Sequence, residues 1–292
     1  MTSRQPLFSN MHTHTLFCDG RDDIETMCKA AYEKNLFAIG FSAHAPIEKQ
    51  TGLKSSWHLK EELTEKYITE IKKAKEIWQG KLNVFAGYEM DYIKGKRSAL
   101  DKDVTDLNLD YIIGSVHYIC HKNSENLFTV DGPKEEFEEG LNKEFDNNAE
   151  KLMHSYYDAV LEMIEKGGFD ILGHADLLKK NCQGKDYWQQ EVETSRQREV
   201  ASAAAKAGIV IEANTGGLNR NKISDLYPSL TFLRIIKEFN IPVIITSDAH
   251  KAHDINGNFV NALNILKSAG FNEHVLFKER INRKPVWQKE FI

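Results

Sequence analysis

Six of the eleven histidines in this chain stand where a short apolar run ends: His12 and His14 close the first such run, and His44, His117, His174 and His250 close four others. Carboxylates keep the same places. Asp19 follows His14, Glu89 and Asp91 end LNVFAGYEMD, Asp176 follows His174, and Asp248 precedes His250. Mixed imidazole and carboxylate donors suit Zn, Fe or Mn rather than Mg or Ca alone. They are also too many for one tetrahedral ion, so two or three divalent ions are expected. In His12-Thr13-His14, residues i and i+2 of an extended segment point the same way and can reach one ion. A lone His-x-His pair is common by chance, and a lone histidine at a strand end is usually a hydrogen-bonded structural residue. The repetition at five run ends is what argues for a metal centre. His58, His121, His154, His253 and His274 fall in expected loops or helices without matched carboxylates and read as solvated or core residues, although His121 is also placed beside the pocket.

The elements that must position these groups are seven apolar runs, LFSNMH, FAIGFSAH, LNVFAGYE, YIIGSVH, FDILGH, IVIEAN and VIITSDAH, separated by charged stretches with apolar residues at helical spacing. The longest stretch runs from 135 to 166. Alternating strand and helix implies parallel pairing, and near-continuous apolar strands imply burial on both faces, as in an α/β barrel of about seven units. In such a barrel the carboxyl ends of the strands share one face, where the histidines and carboxylates would meet. With no linker or repeat, one domain over 1–292 is the simplest division. The irregular segments 45–60 and 118–135 follow strand ends and would lie over the site. The terminal NRKPVWQKEFI is expected to be a last strand or a tail that closes the barrel.

Composition excludes several classes. A net charge of -5 and a pI near 6.1 give no basic excess for a nucleic-acid backbone. No apolar run approaches the roughly 20 residues of a membrane span. The four cysteines are scattered, with no Cys-x-x-Cys pair, and the polar start lacks a secretory core, so a reducing, cytoplasmic setting is expected.

The ordered motifs MHTHTLFCDG, FSAHAPI, GYEMDYI, GSVHYI, FDILGHADLLKK, EANTGGLNR and SDAH resemble those of the PHP (polymerase and histidinol phosphatase) superfamily, and within it the histidinol-phosphate phosphatases. The resemblance spans residues 11 to 250. It implies a distorted TIM-like (β/α)7 barrel, the PHP fold, with a trinuclear metal site held by His12, His14, Asp19, His44, Glu89, His117, His174, Asp248 and His250. By analogy His12, His14, Glu89 and Asp248 hold one ion, Glu89 bridges to a second with His117 and His174, and Asp19, His44 and His250 hold the third. The implied activity is hydrolysis of L-histidinol phosphate, a small phosphate monoester, by a hydroxide bridging two cations. Glu89, Asp248 and His250 are then the catalytic candidates, with the general acid left open between a bound water, Asp248 and His250. Arg220, Lys179 and Lys180 are candidate phosphate clamps, Ser115 and Asn214 candidate substrate donors, and an acidic residue between 135 and 139 a partner for a substrate ammonium. A nucleotide or oligonucleotide phosphoesterase of the same superfamily would usually carry an inserted domain, for which there is no room. A non-catalytic module would have lost ligands, and here all nine are present. Monomer and homo-oligomer stay open.

Overall fold

The computed structural model describes residues 6–120, 126–182 and 187–292. Each of the seven apolar runs supplies a strand: β1 (Ser9–Asn10), β2 (Ala38–His44), β3 (Asn83–Asp91), β4 (Tyr111–Ser115), β5 (Ile171–Leu172), β6 (Val210–Asn214) and β7 (Val243–Thr246). They form one sheet in chain order, with every neighbouring pair parallel. The sheet curls until its ends meet. Thr13 bridges Ala249, the His14 amide donates to the Ala249 carbonyl at 2.8 Å, and the Ala249 amide donates to the His12 carbonyl at 3.1 Å. The closed sheet is the α/β barrel of about seven units expected from the apolar runs, and the distorted (β/α)7 barrel that the resemblance implies. Its strands are buried on both faces, which is why they lack polar alternation.

Helices cover the outside. After β1 comes α1 (Ile24–Glu33), started by Asp23, whose carboxylate accepts the Thr26 amide at 2.8 Å. α2 (Thr64–Ile77) buries Tyr67, Ile71 and Ala74. The charged stretch after β4 is two helices rather than one, α3 (Lys134–Phe145) and α4 (Ala149–Lys166). Asp146 and Asn147 break it with φ of 53° and 57°, a left-handed conformation these short polar side chains tolerate, and Asn148 caps α4 by accepting the Lys151 amide. α5 (Gln190–Ala207) and α6 (Leu230–Glu238) follow β5 and β6. α7 (Phe259–Ser268), absent from the expected helices, completes the seventh unit.

The terminal segment closes the barrel, but as a plug and not as an eighth barrel strand. β8 (Glu273–Ile281) and β9 (Lys284–Phe291) form an antiparallel hairpin. Its Val275 and Phe277 pack with Ala38, Phe85, Tyr111, Ile171 and Val210, residues at or near the starts of barrel strands. The Phe277 ring lies 4.8 Å from Phe85 and 5.4 Å from Trp287. Arg280 ties the hairpin down by donating to the Asp110 carbonyl and the Asp170 carboxylate, just ahead of β4 and β5. One end of the barrel is thus sealed and the other left for the site. Among the described residues, no helix is long and apolar enough to cross a membrane.

Candidate metal centre

Glu89, near the end of β3, is 1% exposed and stands at the middle of five imidazoles. Its Oε2 is 3.1 Å from His12 Nε2, 3.0 Å from His44 Nδ1 and 3.5 Å from His14 Nε2. Its Oε1 is 2.9 Å from His174 Nε2 and 3.5 Å from His117 Nε2. Asp248 Oδ1 approaches His14 Nε2 at 3.3 Å, His250 Nδ1 at 3.6 Å and His12 Nε2 at 3.7 Å. Asp19 faces His250 Nε2 at 3.0 Å, His14 Nδ1 at 3.6 Å and His44 Nε2 at 3.8 Å. All nine residues singled out as ligands therefore share one cluster at the carboxyl ends of the strands. Asp248 has φ of 49°, a left-handed turn that an aspartate accepts more readily than most side chains.

The donor set fits divalent cations. Among the described residues, His12 Nε2, His14 Nε2, His44 Nδ1, Glu89 Oε2 and Asp19 Oδ1 are buried without a hydrogen-bond partner despite these approaches, so they point at shared space rather than at one another. An ion with bonds of about 2.0–2.2 Å would hold its donors roughly 3.5 Å apart, the spacing seen here. Three groups have donor atoms all within 4.8 Å of one another: His14, Asp19, His44 and His250; His12, His14 and Glu89; His44, Glu89 and His117. His44 stands in two of them, with Nδ1 toward Glu89 and Nε2 toward Asp19, where the resemblance gave it one ion.

The charge balance makes the same point. Burial opposes protonation of His12, yet Glu212, Glu89 and Asp248 carry its pKa well above the usual histidine value. Burial likewise opposes a charge on His117, but Asp91 and Glu89 lift it to about 10. His14, buried beside His250 and His44, is pushed down to about 3. Burial disfavours the Glu89 and Asp248 carboxylates, yet the imidazoles around Glu89, and Arg220 and His12 beside Asp248, hold both well below the carboxylate range. The buried carboxylates thus give the cluster a demand for positive charge, which divalent ions would meet.

A supporting layer orients the ligands. Glu212 in β6 is fully buried and lies 2.9 Å from His12 Nδ1, which turns Nε2 toward Glu89. It also accepts from the His174 amide, Asn214 Nδ2 and Thr246 Oγ1. Its role was missed in the sequence, where the one available signal is a glutamate inside the apolar run IVIEAN. Asp91 lies 2.8 Å from His117 Nδ1 and 2.7 Å from His58 Nε2, and His58 Nδ1 lies 2.7 Å from Ser55 Oγ. The expectation that His58 lacks a carboxylate is corrected: its loop folds back over the end of β3.

The site opens into a cavity of about 800 Å³, to which both irregular segments contribute, Trp57 from one and Thr129, Asp131 and Pro133 from the other. His253 lines its rim, and His121 lies outside the described residues. Arg220 lines the cavity with its guanidinium forked onto Asp248, 2.8 Å to Oδ2 and 2.9 Å to the carbonyl. Lys180 also lines it, bound to Asp131. Three other substrate candidates do not. Lys179 turns away to Asp176, the Leu226 carbonyl and the face of Tyr227. Asn214 spends its amide on Glu212 and the Gly216 amide, and Ser115 is buried against Gly173 between β4 and β5.

Comparison with known proteins agrees with the fold. The chain is 27% identical over 270 residues to the "Probable histidinol-phosphatase" of Deinococcus radiodurans, covering 92% of this chain and 96% of that protein. It is 27% identical to the "Histidinol-phosphatase" of Bacillus subtilis, covering 84% and 94%. It shares its fold with the histidinol phosphate phosphatase of Lactococcus lactis, solved with zinc, L-histidinol and phosphate, at a TM-score of 0.70 and 19% identity over 96% of this chain and 98% of that one. The sequence profile of the PHP domain matches residues 10–216, and with the barrel and its cluster this establishes that the chain belongs to the PHP domain family.

Proposed function

We propose that this protein is a metal-dependent histidinol-phosphatase, hydrolysing L-histidinol phosphate to L-histidinol and inorganic phosphate. The observation that carries the reading is the complete set of nine donors, Glu89 and eight others clustered with it, in a cavity large enough for a small phosphate ester. The near-full-length likeness to two proteins named for that activity selects the substrate.

His12, His14, Asp19, His44, Glu89, His117, His174, Asp248 and His250 would hold two or three ions of Zn, Fe or Mn. Bound there, the ions would make a water nucleophilic near neutral pH and offset charge on the phosphoryl oxygens. The chain's own residues do the rest. Glu212 and Asp91 fix the faces that His12 and His117 present. Arg220, steadied by Asp248, presents its positive charge at the cavity wall, where nonbridging phosphate oxygens would lie. His250, less buried than the other ligand imidazoles, would be the side chain to pass a proton to the leaving alkoxide, whereas Asp248, held as a carboxylate by Arg220 and His12, has none to give. The same reading makes it a cytoplasmic enzyme of small-molecule metabolism.

The test is phosphate release from L-histidinol phosphate beside nucleotides and sugar phosphates, with protein of measured metal content. Preference for histidinol phosphate is expected. Fully metallated protein that ignores it and cleaves nucleotides would overturn the substrate while keeping the chemistry.

A further inference from the structure

We infer that Asp131 selects the alcohol half of the substrate by receiving its ammonium group. This rests on the histidinol-phosphate reading, in which the carbon next to the ester carbon bears an ammonium group that nucleotides and simple sugar phosphates lack.

The cavity is divided by charge. Arg220, Lys222, Lys251 and Arg21 stand on the side built by β6, β7 and the turn after β1, suited to a phosphate dianion. A cationic alcohol is repelled there and must turn to a carboxylate elsewhere. Of the carboxylates lining the cavity, Asp19, Glu89 and Asp248 face imidazoles, and Asp254 follows Lys251 and His253 in the loop after β7, with the cations of that side. Asp131 is the remaining one, in the loop after β4 between Thr129 and Pro133, near enough to Arg220 and His117 to favour the charged form of both.

Its position is built rather than incidental. Lys180 donates to the Asp131 carbonyl and touches Oδ2 at 3.3 Å. Asn181 donates to the carbonyls of Val130 and Gly132, at 3.2 and 3.1 Å. Two neighbouring side chains from the turn after β5 thus clamp three consecutive residues of the loop after β4. Lys180 divides its charge between main chain and side chain, and Oδ1 has no partner among the described residues. This assigns Lys180 to holding the loop, in place of the phosphate contact expected from its sequence position. It also moves the ammonium partner upstream of 135–139, where Glu135 and Glu136 are exposed on the first turn of α3 and Glu139 pairs with Lys143.

The test compares kcat/KM for L-histidinol phosphate with that for its deaminated counterpart, imidazolylpropyl phosphate, in the wild-type protein, Asp131→Asn and Asp131→Glu. A charge-assisted contact of this kind gives a preference of roughly 10-fold to 100-fold for the ammonium ester. That ratio should collapse in Asp131→Asn, mainly through KM, and largely return in Asp131→Glu. Calorimetric titration with L-histidinol should weaken in step. An unchanged ratio in Asp131→Asn, or equal losses on both esters, overturns the assignment. If the wild type cleaves neither ester, the histidinol reading fails, and phosphoethanolamine against ethyl phosphate then reads the same residue. An Asp131-dependent preference for the amine upholds the inference, and no preference ends it.

Discussion

Glu89 lies within 3.5 Å of nitrogens from five imidazoles contributed by the ends of four strands, so no neighbouring side chain can replace it. Glu89→Gln keeps the shape but removes the charge that would be shared between ions, and turnover should fall about 100-fold or more. Steady-state kinetics with matched metal content checks this, and near-normal activity would refute a multinuclear centre. Glu212 acts one layer further out. Glu212→Gln leaves every ligand in place but weakens the hold on His12, so metal affinity should drop roughly 10-fold to 100-fold while the fold persists. Competition with a chromophoric chelator measures that loss. The six histidines and the carboxylates beside them were legible because their types are unusual at strand ends and recur in register with the elements; the choice of nine among them as ligands came from the family resemblance. Glu212, His58 and Asp131 were not, because each gains its role from a partner more than 30 residues away in the chain, on an element whose approach no local pattern announces.

At the scale of elements, the strands and most helices were legible from periodicity, since burial on both faces imposes continuous apolar runs. The break at Asp146-Asn147 and the fate of the tail were not. The first depends on two residues adopting left-handed φ in an otherwise helical charge pattern, and the second on where a hairpin finds an apolar surface to cover. That hairpin carries His274, 1% exposed, with its ring set against the Leu7 and Val275 backbone and 5.8 Å from the Phe8 ring. Burial lowers its pKa to about 4, with Glu290 opposing only in part. A histidine depressed in the folded state favours the neutral form there. Its contribution is complete above the unfolded value of about 6.5, is lost as pH falls toward about 4, and is constant below that. The loss is at most about 3 kcal/mol, or several degrees in Tm. His274→Leu should therefore show a smaller fall in Tm between pH 7 and pH 4 than the wild type, by differential scanning calorimetry. Equal falls would mean that the hairpin does not sense the proton.

For the molecule as a whole, the barrel is unevenly sewn. β2 and β3 pair through seven consecutive residues, Ala38–His44 against Asn83–Glu89, whereas β1 and β7 are joined, among the described residues, by one backbone bridge just beyond them, Thr13 to Ala249, and by hydrogen bonds between Asn10 and Ser247. The ligands lie on both sides of that seam, His12 and His14 on one and Asp248 and His250 on the other. Ions bound across it would act as rivets, and their removal should let the backbone breathe there before anywhere else in the sheet. Deuterium uptake resolved by peptide should rise on chelation at His14 and Ala249 well before it rises along β2 and β3; a uniform rise would assign the ions no such mechanical part. A cluster placed to do chemistry would then also be the clasp that makes a curled sheet into a closed barrel.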